Sequence, residues 1–324
     1  MDIGKLPNDL LKNLVFDLLT NRRKDVLTRG SIGEDCGVID FGKYGCVVST
    51  DPITGAFNNI GKLAIHISCN DVASNGAEPI GILLTILAPE TTTEGDIKNI
   101  MKDASCASKE LNVEIIGGHT EITDAVNKIV INSTVIGRQL KSKLLDPKSI
   151  KKGYKVILTK SIAIEGTSII AEDLEDKLIE GEISRELIEE GKRLINKISV
   201  IKEGMIAGEL GVEYMHDITE GGIFGAIHEA SHAINKGIQI YKEKINIEKS
   251  TKTICDYLDI NPYRLIASGS LVIITNDEKA DLLLDKLNKE NIECEIIGEV
   301  IDEGIYADNE KVLPPESDEL YRVV

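Results

Sequence analysis

Short apolar runs with the two-residue period of a strand alternate along this chain with longer stretches of apolar residues at helical spacing. In the first half, Gly45–Thr50 predicts a strand, Ile60–Asn75 a helix, Glu78–Leu87 a strand and Glu94–Leu111 a helix. Val113–Ile116 and Lys128–Ile136 predict two more strands. The polar stretch Arg138–Lys152 contains Asp146-Pro147 and runs into Gly153, which places a domain boundary there. The expected domains are 1–145 and 146–324. The second half restarts with a strand at Lys155–Thr159, followed by helical stretches over Ile162–Leu174 and Ser184–Leu210. A shorter helix over Gly221–Asn235 stops at Lys236-Gly237, and a helix at Glu278–Leu287 lies between strands at Leu271–Thr275 and Cys294–Val300. This alternation predicts an α/β or α+β sandwich in each half.

Charge narrows the partners. Thirty-seven Lys and Arg stand against 54 Asp and Glu, a formal net charge of −17. Such a surface repels phosphate backbones and anionic lipid, so neither nucleic acid nor membrane is an expected partner. A polyanionic small ligand then needs a divalent cation or backbone donors to offset that field. No stretch approaches the ~20 apolar residues of a membrane span, and the N-terminal residues lack the basic patch and apolar run of a secretion signal. The expected location is cytoplasmic. Six cysteines, none in a C-x-x-C pair, read as reduced and mostly buried small hydrophobes.

Candidate chemistry gathers at element ends. On the Ile60 helix, Ile60, Leu63, Ala64 and Ile67 share one narrow face at 100° per residue, and Asp71 lies in the middle of it. A carboxylate there needs a cation or several donors. It is read as a metal ligand, the alternative being a cap on the turn at Asn75-Gly76. Asp51 stands before Pro52, which is expected to end its strand, and Asp35 lies in the turn Ile32–Gly37. Three carboxylates at element edges suit Mg²⁺, which takes one or two directly and bridges phosphates. Ile115–Glu121 ends a predicted strand in Gly117 and Gly118, whose N–H groups can face an anion, followed by His119, Thr120 and Glu121. Glu121 either joins the metal shell or is solvated. In His216–Gly222, Thr219 is the expected N-cap of the next helix, and Gly221 and Gly222 leave its N–H groups open to a phosphate or oxyanion. His216, Asp217 and Glu220 are candidates for acid–base work. His228 and His232, four apart on that helix, are read as surface residues.

Taken together, the motifs resemble one superfamily. Gly33-Glu34-Asp35-Cys36, Ser49-Thr50-Asp51-Pro52, Asn70-Asp71-Val72-Ala73 with Gly76-Ala77-Glu78-Pro79, Gly117–Glu121 and His216–Gly222 occur in the order found in the PurM-like superfamily. That group joins aminoimidazole ribonucleotide synthetase, selenophosphate synthetase, thiamine-monophosphate kinase and the hydrogenase maturation protein HypE, and the chain is most similar to the last. The resemblance implies an N-terminal domain whose sheet pairs with its twin to form a barrel at a homodimer interface, and a C-terminal α/β domain. It implies ATP and magnesium, with Asp35, Asp51 and Asp71 at metal and phosphate. Asn70 and Gly117 to Glu121 would lie at the nucleotide, the latter partly across the dimer, and Lys5 on an N-terminal segment that covers the phosphates. The implied activity is ligase- or dehydratase-like: phosphorylation by ATP of an amide-like or thio-acid oxygen on a small acceptor. Two alternatives are a nucleotide-binding maturation scaffold and a small-molecule kinase. The chain departs from HypE at its end, Glu319–Val324, which lacks the carrier cysteine, and at Ser268, where HypE has a glutamate.

Overall fold

Two mixed sheets, one in each half of the chain, carry the architecture of this computed structural model, which describes residues 6–54 and 59–324. The first half contains helices α1 (Asn8–Leu14), α2 (Ile60–Ser74) and α3 (Glu94–Glu110). Its strands are β1 (Val26–Thr28), β2 (Gly37–Phe41), β3 (Tyr44–Ile53), β4 (Glu78–Ala88), β5 (Glu114–Ile122) and β6 (Val130–Leu140). The sheet order is β1-β2-β3-β6-β4-β5, antiparallel except for β4–β5. That parallel pair requires a crossover, which α3 supplies.

Helix α2 lies on one face of this sheet. It is buried on every side rather than along one stripe: within Ile60–Ser74 only Lys62 escapes burial. The narrow apolar face expected from spacing therefore understates it. Small residues set the approach. A Cβ on Gly137 of β6 would run into the Val72 side chain, and one on Gly61 into the Ile100 carbonyl of α3. Ser133 of β6 donates from Oγ to the Ala64 carbonyl at 2.8 Å, which ties sheet to helix. Among the described residues, no helix covers the opposite face of the sheet. Phe41 is 67% exposed there with Tyr44 opposite it, and Leu83 is exposed on the same face six residues further along the strands.

The second half holds β7 (Lys155–Thr159), β8 (Tyr214–Asp217), β9 (Gly237–Ile240), β10 (Leu271–Thr275), β11 (Cys294–Ile301), β12 (Ile305–Ala307) and β13 (Glu310–Lys311). Its helices are α4 (Ile164–Asp173), α5 (Glu175–Glu180), α6 (Arg185–Arg193), α7 (Ile201–Leu210), α8 (Gly222–Ile234), α9 (Lys249–Leu258) and α10 (Asp277–Lys289). The sheet runs β13-β12-β9-β11-β7-β10-β8. Separate apolar clusters fill its two sides, one around Ile223, Ile227 and Ile238, the other around Val200, Leu283 and Leu287.

Three expectations are corrected here. The single helical stretch over 184–210 breaks into α6, a 3-10 turn at Leu194–Lys197 and α7. The break is where Asn70 docks: its Nδ2 donates to the Ile198 carbonyl at 2.8 Å, and its Oδ1 accepts from the Val200 N–H at 2.9 Å. Pro52 does not end its strand. β2 pairs β3 only as far as Val48, so Pro52 sits on a stretch with a single neighbour, where a missing N–H is tolerated. The strand expected to stop at Ile116 continues to Ile122. The halves then meet through α2 and α7, where a Cβ on Gly204 would strike the Ala73 carbonyl.

Candidate active site

The junction between the halves collects the acids. Asp71 in α2 is 2% exposed, and its Oδ2 accepts a 2.5 Å hydrogen bond from Ser49 Oγ of β3. It does not cap the turn that follows; there the Ser74 hydroxyl bonds the Asp71 carbonyl instead. Burial, then the fields of Asp51, Asp217 and Asp35, push the Asp71 carboxyl well above the usual carboxylate range. Asp217, the last residue of β8, is fully buried, and neither of its carboxylate oxygens has a hydrogen-bond partner. Burial first, and Asp35 second, push it up to about 7. Donor atoms of Asp35, His216 and Asp217 lie within 4.8 Å of one another. So Asp35, Asp51, Asp71 and Asp217, from a turn, a strand, a helix and a strand of the other domain, share one electrostatic neighbourhood.

His216 holds this assembly together. Its Nδ1 lies 3.1 Å from Asp35 Oδ2 and its Nε2 2.7 Å from Glu229 Oε2 of α8. Burial opposes its charge, but Asp35 and Glu229 outweigh burial and raise its pKa well above 6.5. An imidazolium bonded at both nitrogens has no lone pair for a substrate proton, so His216 is not placed as a general base here; it positions Asp35 and Glu229. The turn carrying Asp35 is docked by the same group. Tyr214 Oη donates to the Gly33 carbonyl at 3.0 Å, and a Cβ on Gly33, at φ +76°, would overlap the Glu229 carbonyl.

Several expected contacts fall elsewhere. Asn70 is fully buried, and its amide is spent on the Ile198–Val200 backbone, not on a nucleotide. Thr219 does not cap α8; the cap is Gly221, at φ +81°, with no side-chain bond. The Gly221 N–H donates to Asp318 Oδ2 at 2.6 Å rather than standing open, and the glycine pair is explained by packing: Cβ atoms would meet Pro315 and the Tyr263 carbonyl. Glu220 accepts from Tyr321 Oη at 2.6 Å. His228 is half-buried, with Nε2 3.2 Å from the Val312 carbonyl, rather than at the surface.

Gly117, Gly118, His119, Thr120 and Glu121 all lie within edge strand β5. Gly118 is needed because a Cβ would overlap the Leu84 carbonyl of β4. Register places His119 and Glu121 opposite Thr85 and Leu87, on the uncovered face, whereas Asp51 pairs with the buried Ser133 on the face that α2 covers. They are also three strands from β3, about 14 Å. The exposed His119–Glu121 pair, 3.2 Å apart, is thus not part of the same chain's acid cluster, where Glu121 was one expected member. Lys5 lies outside the described residues. Glu229 was missed altogether, although a carboxylate beside Ile227 and Ala230 on a largely apolar helix is the same signal that marked Asp71.

Two family models cover most of this chain: AIR synthase related protein, N-terminal domain, over residues 33–139, and AIR synthase related protein, C-terminal domain, over residues 151–308. The chain belongs to the AIR synthase related family. Among its relatives is a putative hydrogenase expression/formation protein of Methanocaldococcus jannaschii, 29% identical over 308 residues, covering 91% of this chain and 88% of the relative. Another is the carbamoyl dehydratase HypE of Rhizobium leguminosarum, 26% identical, covering 81% of this chain and 73% of that protein. A crystal structure of hydrogenase maturation protein HypE in complex with ATP shares the fold, with a TM-score of 0.71 at 18% identity over 98% of this chain and 97% of that one. Among the described residues, no helix is long and apolar enough to cross a membrane.

Proposed function

We propose that this chain is an enzyme that uses ATP and Mg²⁺ to phosphorylate an amide-like or thio-acid oxygen of a small acceptor. The observation that carries the reading is Asp217, a fully buried carboxylate with two unpartnered oxygens beside Asp35, Asp51 and Asp71. The His216 imidazolium offsets part of this charge, and four carboxylates so placed stay costly until a further cation joins them. With both His216 nitrogens engaged, the other donors of the cluster are carboxylate oxygens, which suits a hard cation. Asp35 and Asp217 would hold the ion, with Asp51 and Asp71 ligating it directly or through water. Bound there, Mg²⁺ would offset charge moving between phosphates. The chain's own contribution is placement: Ser49 orients Asp71, His216 fixes Asp35, and the α2–α7 contact holds the two domains' carboxylates in register. That a family relative is a carbamoyl dehydratase and a protein of the same fold binds ATP supports the nucleotide and the oxygen-activating chemistry.

The reading includes a homodimer built on the uncovered sheet face. Phe41, Tyr44, Ile80 and Leu83 would be covered there, and His119 and Glu121 of each copy would stand at the interface. The test measures Mg²⁺-dependent ATP binding and turnover in wild type and Asp71→Asn, with candidate amides and thio-acids added. The variant should fold and bind Mg-ATP at least about tenfold more weakly. Unchanged binding would remove the assigned site. Binding in wild type without turnover on any acceptor would move the conclusion to a nucleotide-binding scaffold, and a stable phosphorylated product to a small-molecule kinase.

A further inference from the structure

A second set of acids lies in the C-terminal domain, and the site above does not use it. Glu165, in the first turn of α4, is 4% exposed, and its Oε2 has no hydrogen-bond partner. Ser268 lies against it, 1% exposed, and its Oγ is also without a partner. Burial, together with the fields of Asp318 and Glu220, pushes Glu165 up to about 7 despite Ser268. Asp318 is itself buried, and burial drives it up to about 6, although it accepts from the N–H groups of Gly221 at 2.6 Å and Leu320 at 2.8 Å. Glu220 and Tyr321, joined at 2.6 Å, are the partly exposed members. No Lys, Arg or His ranks among the groups acting most strongly on Glu165 or Asp318.

Two buried carboxyls, a partly exposed third and a buried hydroxyl, with no cationic side chain among their strongest described neighbours, are a costly arrangement that a matching ligand would relieve. A metal ion does not fit. Among the described residues, Asp35, His216 and Asp217 form the group whose donors converge as an ion requires, and Glu165, Glu220 and Asp318 do not. An ammonium group bonds oxygens at about 2.8 Å, a wider shell than the about 2.1 Å of Mg²⁺, and brings the N–H donors that Glu165 Oε2 and Ser268 Oγ lack. Anionic groups would be repelled. The location is beside the first site: Glu220 follows Asp217 by three residues, and Ser268 leads into β10, whose Leu271 pairs with Asp217.

We propose that Glu165, Ser268, Glu220 and Asp318 form the subsite for the acceptor and that the group they take is a protonated amine. The assignment to an acceptor rests on the proposed ATP-dependent function; amine binding itself does not. Calorimetric titration of the whole chain, without nucleotide, uses n-butylamine as probe, with n-butanol and butanoate as neutral and anionic counterparts. Butylamine should bind wild type and bind Glu165→Gln at least about tenfold more weakly, while the alcohol and the acid give no binding. Should Glu165→Gln not fold, as judged by circular dichroism, the partly exposed Glu220→Gln should show the same loss. Butylamine indistinguishable from butanol, or bound equally by the variants, overturns the proposal. Mg-ATP titration of wild type separates the two readings. Amine binding without Mg-ATP binding sinks the ATP-dependent function and leaves the amine site, and the reverse result sinks the amine site alone.

Discussion

Replacing Asp217 by Asn tests the candidate centre through stability rather than activity. The folded chain holds the Asp217 carboxyl at about 7, against an ordinary value of 3.8, chiefly by burying it and secondarily by Asp35. A carboxyl whose folded value is raised contributes stability that is full below the unfolded value and is lost as pH rises through the folded one. At pH 8, where both states are ionised, the folded state bears about 4 kcal/mol of this penalty, and at pH 5 about 2 kcal/mol. Asn has nearly the same shape and no charge, but its amide also lacks partners here, which returns about 1–3 kcal/mol. The net expectation in EDTA is that Asp217→Asn is more stable than wild type by about 1–3 kcal/mol at pH 8. The advantage should shrink or vanish at pH 5. Urea unfolding at the two pH values measures it. At the proposed site saturating Mg²⁺ should narrow or invert the order, because it stabilises each chain by RT ln(1 + [Mg²⁺]/Kd) and the chain without the carboxylate has the larger Kd. If the variant is less stable than wild type at pH 8 in EDTA, or Mg²⁺ stabilises both equally, Asp217 is not an unsatisfied buried ligand.

Two further expectations concern the parts around that centre. His216→Gln removes the cation between Asp35 and Glu229 and should lower unfolding stability by about 2–4 kcal/mol near neutral pH, less than a fully buried pair because Asp35 is partly exposed. His216 titrates above 6.5, so this deficit should shrink as pH rises through its folded value; a deficit independent of pH would assign the effect to lost packing. Phe41→Asp combined with Leu83→Asp should weaken self-association at least about tenfold by sedimentation while leaving the helical signal unchanged, and a wild type that sediments as a monomer refutes the dimer.

The local alternation of apolar positions was enough for the strands and helices that carry long runs: β4, α3 and β10 begin and end within about two residues of expectation. Where one tertiary contact sets a boundary, periodicity had nothing to say. The break between α6 and α7 is made by Asn70, more than a hundred residues earlier in the chain, and β13 is two residues long. Asp71 was legible for a sound reason, since a carboxylate at an apolar helical position must be accounted for. The same rule applied to α8 would have found Glu229. Glu121 misled because a Gly-Gly followed by polar side chains reads equally as a ligand loop or as an exposed edge strand. Pairing with β4 decided between them, and that pairing is a non-local fact.

The position of His216 explains why the acid cluster is assembled across a domain boundary instead of within one domain. Asp35 and Gly33 come from the first half, and His216, Tyr214 and Glu229 from the second. If the halves separated, His216 would keep only Glu229, and Asp217 would lose Asp35 as a neighbour. If Asp35 and Asp217 hold a cation as proposed, its affinity is coupled to domain docking: a cation that needs both carboxylates binds only the docked arrangement and stabilises it. The small residues at Gly204 and Gly208 of α7 serve the same docking, since they let α7 reach the Ala73 and Gly76 backbone at the end of the helix that carries Asp71. A side chain on either glycine would therefore weaken the proposed metal site without touching it.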